Sequence, residues 1–230
     1  MESLPLYISL LFGLIVIGTI AWFYYVTQSK NFLLIGIGWT FLQGILGQSE
    51  IYRYTEAIPP RIMLFGVFPP LVLVGFTFLT KRGKAFIEQI DLEKLTYFHS
   101  IRVPVEVVLA LLYYQGVVSV YMTFEGTNFD LFSGITAPLV AYLSFRTAQK
   151  NKMLLLGWNI LCLLLLLNVV ITAVLAFPTP FQQLAFNQPN IAVLYFPFNL
   201  LPTVVVPTVF FGHLLAIRQL TINKVKKERI

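Results

Sequence analysis

The chain has 230 residues, 57% of them hydrophobic and 11% charged, with a formal net charge of +6 and a mean hydropathy of +0.79. Soluble domains carry about 25% charged residues, so there is too little polar surface here to cover a globule in water, and no room beside the apolar runs for a separate soluble domain. Nor does the positive charge indicate nucleic acid. The basic residues stand in short stretches flanking apolar runs, where they act as topology signals and contacts for anionic lipid headgroups.

A hydrocarbon core of roughly 30 Å is crossed by about 17–25 apolar residues in a helix. Seven segments read as such spans, giving an all-α polytopic transmembrane bundle, a single domain over 1–230. The first covers 4–26. It has no basic region before it and no small-residue cleavage site after it, so it reads as a retained span rather than a removed signal peptide. The second, 31–47, is short and rich in glycine. Gly36, Thr40, Gln43 and Gly47 share one side of it, which suits close packing with Gln43 bonding across the contact. The third, 62–80, contains Pro69-Pro70 and ends in the basic stretch Lys81-Arg82-Gly83-Lys84.

Residues 84–100 predict a short interfacial helix, with Phe86, Ile87, Ile90, Tyr97 and Phe98 on one face and Asp91 capping a second turn. The fourth span is 101–123. The fifth, 131–145, is near the lower length limit, as is the second. The sixth is 153–176, with Cys162 among its leucines and Asn159 and Asn168 on opposite faces. The seventh is 191–217, followed by a basic tail, 218–230, expected to fray.

Fourteen of the sixteen Lys and Arg residues (Lys30, Lys81, Arg82, Lys84, Lys94, Arg102, Arg146, Lys150, Lys152, Arg218, Lys224, Lys226, Lys227 and Arg229) fall on one side of this arrangement. Only Arg53 and Arg61 fall on the other. The positive-inside rule then puts the N-terminus outside and the C-terminus in the cytoplasm of a cytoplasmic (inner) membrane, expected to be bacterial. An arrangement of three spans, a linker and three more would fit, with Pro69-Pro70 matching the prolines of the last span.

The most informative local pattern is His99-Ser-Ile-Arg102-Val-Pro104-Val-Glu106, with Tyr113 further on. At about 100° per residue, His99, Arg102, Glu106 and Tyr113 lie within about 60° of one another. A carboxylate inside a membrane costs several kcal/mol unless paired, and Arg102, one turn earlier, is within reach of it. Glu106 is therefore either the centre of an ion or solute site or half of a static ion pair near the cytoplasmic interface. Asn199 and Thr203 stand among three prolines, Pro197, Pro202 and Pro207, each of which frees a carbonyl one turn earlier. Freed carbonyls coordinate cations or polar solutes in broken transporter helices, or are satisfied within the protein. The candidate binding residues are thus Glu106, Arg102, Tyr113, Asn199, Thr203 and Gln43.

His99 and His213, at similar depth, are weak candidates for a metal or haem, with no ligand-spacing signature. No metal or other cofactor is expected. Between the sixth and seventh spans, Gln182, Gln183, Asn187, Gln188 and Asn190 form an uncharged, amide-rich outer loop. It faces loops holding Glu50, Glu56, Glu125 and Asp130, and the two are either a ligand entrance or ordinary surface. There is no late-span lysine for a retinal Schiff base, no hydrolase or zinc-protease motif, no phosphate loop and no arginine row of a voltage sensor. The leading expectation is transport or binding of a small solute or ion. The alternatives are a membrane enzyme or redox protein using His99 and His213, and a structural or partner-binding subunit.

Overall fold

The computed structural model describes residues 4–146 and 151–227. Lys150 and Arg229 of the basic face lie outside the described residues. Every regular element among the described residues is helical. Helix α1 (Leu6–Thr27) ends where Gln28 turns left-handed at φ 51°. Helix α2 (Lys30–Gln48) is capped by Ser29, whose hydroxyl accepts from the Phe32 N–H. Helix α3 (Met63–Leu79) opens with a π-helical turn, Met63–Val67.

At Thr80 the chain bends by 89° into the short α4 (Lys81–Gln89). Ile87 is the buried side of that helix. Helix α5 (Leu92–Tyr114) then rises through the middle of the molecule. Helices α6 (Asp130–Phe145) and α7 (Lys152–Leu175) follow. The last, α8 (Val206–Lys227), continues a second π-helical turn, Leu201–Val205.

Four of these helices are long and apolar enough to cross a membrane: α1, α5, α7 and the segment Leu201–Ile222. A fifth is long and apolar enough if α3 and α4 are one bent span. The surfaces agree with an apolar surrounding. Leu14, Leu34, Phe41, Leu79, Leu139 and Ile171 all point outward from the bundle. The buried polar residues, by contrast, gather inside it.

Three boundaries differ from the sequence expectation, each for a physical reason. Residues 92–100 do not form one short helix with 84–91. They are the first turns of α5, because Asp91 caps the helix by accepting from the Glu93 and Lys94 N–H groups, and because Leu92, Leu95 and Phe98 face the core. At its other end α5 stops at Tyr114 rather than 123. Gly116, at φ 75°, turns the chain, and residues 115–129 fold back along the bundle. Their apolar residues imitate a span because Val118 and Met122 are buried against protein. Lastly, 191–200 is not the start of a helix. Apart from a single 3-10 turn, Ala192–Leu194, it is irregular, and the regular helix extends to Lys227, beyond the expected 217.

Helix α6 begins deep in the structure. A side chain at Gly134 would meet Val103 and the Cβ of Arg102 within 3.3 Å, so the first turn of α6 lies against the middle of α5. The loop 115–129 therefore delivers polar groups to the centre of the bundle. Irregular backbone at such depth is tolerated only where protein surrounds it. The amide-rich loop provides that cover. Gln188 Nε2 donates to the carbonyls of Tyr113 and Val118 (2.9 and 2.7 Å), and Asn190 Oδ1 accepts from the Ser119 N–H (2.9 Å).

Candidate functional site

Two polar clusters occupy the interior. The first is built on α5. Arg102 lies ten residues into a helix of 23, so it sits mid-helix. Only 3% of it is exposed, which rules out snorkelling to headgroups. Its ion pair is with Asp130 at the start of α6 (Nη2 to Oδ1, 3.0 Å), not with Glu106. Helical spacing places Arg102 and Glu106 on one face, but α6 brings a carboxylate directly opposite the guanidinium.

Glu106 is held instead by Asn128, whose Nδ2 donates to Oε1 at 2.7 Å and to the Met122 carbonyl at 2.9 Å. Asn128 Oδ1 in turn accepts from the Asp130 N–H at 2.9 Å. Asn128 thus links Glu106 to the Arg102–Asp130 pair. Glu106 Oε2 has no hydrogen-bond partner among the described residues.

The histidines do meet. His99 and His213 stack with ring centroids 3.8 Å apart and planes 11° from parallel. Arg102 Nη1 donates to His213 Nε2 (3.2 Å). A guanidinium only donates, so Nε2 accepts, and Nδ1–H of the neutral ring donates to Asn159 Oδ1 at 2.9 Å. Asn159 is anchored by its own Nδ2, which donates to the Leu155 carbonyl. Trp158 closes the pair edge-on, 5.6 Å from the His99 ring centroid. Gly212 permits the approach, since a Cβ there would stand 3.2 Å from His99 Cε1. Neither His99 nitrogen has a hydrogen-bond partner among the described residues.

Stacked imidazoles direct their lone pairs along parallel planes, so they do not converge on one metal ion, and both nitrogens of His213 are engaged. No group of three or more His, Cys, Asp or Glu among the described residues could hold a metal ion.

The second cluster joins α2 to α3 and to the π-turn before α8. Pro69 and Pro70 both lack an N–H, so the Phe65 carbonyl loses its backbone partner in either α or π register. Gln43 Nε2 donates to it at 2.9 Å. Pro207 likewise cannot donate to the Thr203 carbonyl, and Trp39 Nε1 takes that role at 2.8 Å. Tyr52 Oη donates to Gln43 Oε1 (2.6 Å), and Asn199 Nδ2 to the Gln43 carbonyl (2.8 Å). Thr203 Oγ1 donates to the Asn199 carbonyl (2.8 Å).

Two glycines make this knot possible. Asn199 lies against Gly47, where a Cβ would come within 2.6 Å, and Thr203 Cγ2 lies 2.4 Å from the Cβ position of Gly66. Burial pushes the Tyr52 hydroxyl, which lies in a short 3-10 turn after α2 (Ile51–Arg53), up to about 12.

The six binding candidates of the sequence therefore separate. Arg102 and Glu106 share the first cluster, while Gln43, Asn199 and Thr203 form the second. Tyr113 belongs to neither. It lies two turns beyond Glu106, half-exposed, and its carbonyl accepts from Gln188. Asn159 and Asn168 do diverge, the latter donating to the Thr127 carbonyl at 3.0 Å.

Asn128 and Asp130 were not legible as core residues, because 124–130 reads as a hydrophilic loop. The one available signal is local. Asn at 128, two residues before Asp130, is the pattern of an Asx turn opening a helix.

A family model matches residues 59–221, and the chain belongs to that family, described as Domain of unknown function (DUF8737). No curated protein and no solved structure matches the chain.

Proposed function

We propose that this DUF8737 member is a seven-span protein of the cytoplasmic membrane, and that it binds or moves a small polar solute or ion through the cluster centred on Glu106. In this reading α2, α3 and α6 cross together with the four longer helices. The N-terminus is outside and the basic ends face the cytoplasm. Arg102 no longer counts as a topology signal, which leaves thirteen of the original fourteen basic residues on that side. The bias survives, and α4 lies along the cytoplasmic interface.

The observation that carries the proposal is the placement of Glu106. It is a carboxyl group 3% exposed, on a central helix, with one oxygen held by Asn128 and the other without a partner among the described residues. Intramembrane ionisable groups are costly and mark pathways or relays. Beside it the Arg102–Asp130 pair and the His99–His213 stack supply a cation, an anion and two imidazoles. The second cluster, Gln43, Asn199 and Thr203, braces helices in this reading. Its carbonyls are already filled by Trp39 and Gln43.

Substituting Glu106→Gln tests the proposal. Glutamine keeps the oxygen that accepts from Asn128, so the fold should survive. Uptake into proteoliposomes, or binding of small metabolites and ions by the purified protein, should fall to background. A variant that behaves like wild type refutes the role of Glu106.

A further inference from the structure

Beside the second cluster, a cavity of about 810 Å³ lies between α2, α3, α4 and α8. Its polar residues gather mainly at one end: Ser29, Asn31, Thr80 and Arg82. Its walls are apolar, with Ile35, Leu73 and Phe211 among them, and no acidic side chain among the described residues lines it. Trp39 and Thr203 stand at the far end, already bonded to each other.

From Ser29 to Trp39 is ten residues of one helix, about 15 Å at roughly 1.5 Å per residue. That is half of a hydrocarbon core of roughly 30 Å, the depth of one leaflet. Lys30 and Lys81 are exposed beside the polar end, and α2 and α4 both begin there. The positive ends of two helix dipoles and three cationic side chains thus meet at the headgroup level of one leaflet.

We infer that this cleft seats one acyl chain of an anionic glycerophospholipid from the leaflet on the basic side, with its phosphate against Arg82. A neutral lipid would fill the apolar walls equally well but leave the cationic mouth unmatched. A free phosphate would match the mouth and leave the walls empty. The bilayer lipid satisfies both halves of the cleft.

The test uses the purified full chain in neutral detergent, titrated with phosphatidylglycerol, phosphatidylcholine or glycerol 3-phosphate, reading Tm. Phosphatidylglycerol should raise Tm saturably, and the other two should not. Arg82→Ala should weaken the half-saturating lipid concentration at least tenfold. Gly36→Leu is a second, independent variant. A Cβ at Gly36 lies 3.8 Å from Ile20 Cγ2, so added atoms enter the cleft without a backbone clash. It should abolish the shift while leaving the lipid-free Tm in place. Native mass spectrometry should count one retained anionic lipid on wild type and none on Gly36→Leu. Equal shifts from the two lipids, a shift from glycerol 3-phosphate alone, or wild-type titration by both variants would overturn the assignment.

Discussion

Replacing Arg102 with methionine should be among the most damaging single changes outside backbone substitutions. The cost comes from the partner rather than from Arg102 itself. Asp130, 6% exposed, would keep its carboxylate in the bundle with its cation gone, and His213 Nε2 would lose its donor. Removing one member of a buried ion pair costs about 3–5 kcal/mol, because an uncompensated charge is left behind. Replacing both members with apolar residues of similar volume is often neutral or better.

The double variant Arg102→Met/Asp130→Leu should therefore recover most of the loss. Arg102→Met/Glu106→Gln should recover little, because Glu106 is bonded to Asn128 and not to Arg102. Unfolding free energies in mixed micelles, taken around both double-mutant cycles, measure the two couplings. The 102–130 coupling should exceed about 1.5 kcal/mol, and the 102–106 coupling should be under about 0.5 kcal/mol. A larger coupling to Glu106 would refute the pairing on which the site description depends.

Other expectations follow from the second cluster and from Tyr52. Gly66→Ala drives a Cβ to 2.4 Å from Thr203 Cγ2 and should cost about 1–3 kcal/mol by overpacking. Adding Thr203→Ser, which deletes that methyl and keeps the hydroxyl, should restore most of the lost Tm. Trp39→Phe strips the Thr203 carbonyl of its donor, for about 1 kcal/mol. The same change in a Pro207→Ala background should cost less, because a backbone N–H is restored; equal costs in the two backgrounds would contradict the account of the freed carbonyl.

The Tyr52 hydroxyl is raised from 10.0 to about 12 in the folded chain, so the folded state holds a proton that the unfolded state releases. Stability should be level below pH 10 and fall between pH 10 and about 12. Tyr52→Phe should show a shallower fall over that window, read as chemical unfolding midpoints against pH.

The sequence revealed faces better than neighbours. His99, Arg102 and Glu106 were legible as one polar stripe because helical periodicity fixes direction around an axis. What stands opposite that stripe depends on where α6 begins, and the residues 115–129 that decide this carry no periodic signal. Hence Asp130 reads as surface, and helical spacing alone pairs Arg102 with Glu106. The Asp91 cap is visible, yet 84–100 reads as one short interfacial helix because Phe86, Ile87, Ile90, Tyr97 and Phe98 share an apolar face, although Glu93 and Lys94 interrupt it. In the structure Lys94 is drawn aside, 3.5 Å from Asp91 and over the Tyr25 ring. Of the three prolines in the last span only Pro207 frees a helix carbonyl, that of Thr203, because Pro197 lies in irregular chain and the Phe198 carbonyl accepts from the Leu201 N–H. That Trp39 would fill the Thr203 carbonyl, and Gln43 the Phe65 carbonyl before Pro69-Pro70, was invisible, because those partners lie more than 20 residues away in sequence.

Helix α2 shows what this arrangement means for a chain surrounded by oil. Only Gln43 and Gly47 of its nineteen residues are buried. In the seven-span reading its greasy flanks gain nothing from touching protein instead of lipid tails. It is therefore keyed into place by a few directional contacts, and two of their sockets, the Phe65 and Thr203 carbonyls, stand open because of prolines on two other helices. Strip out those prolines and two of the locks would close, although every other apolar surface in the bundle would be unchanged.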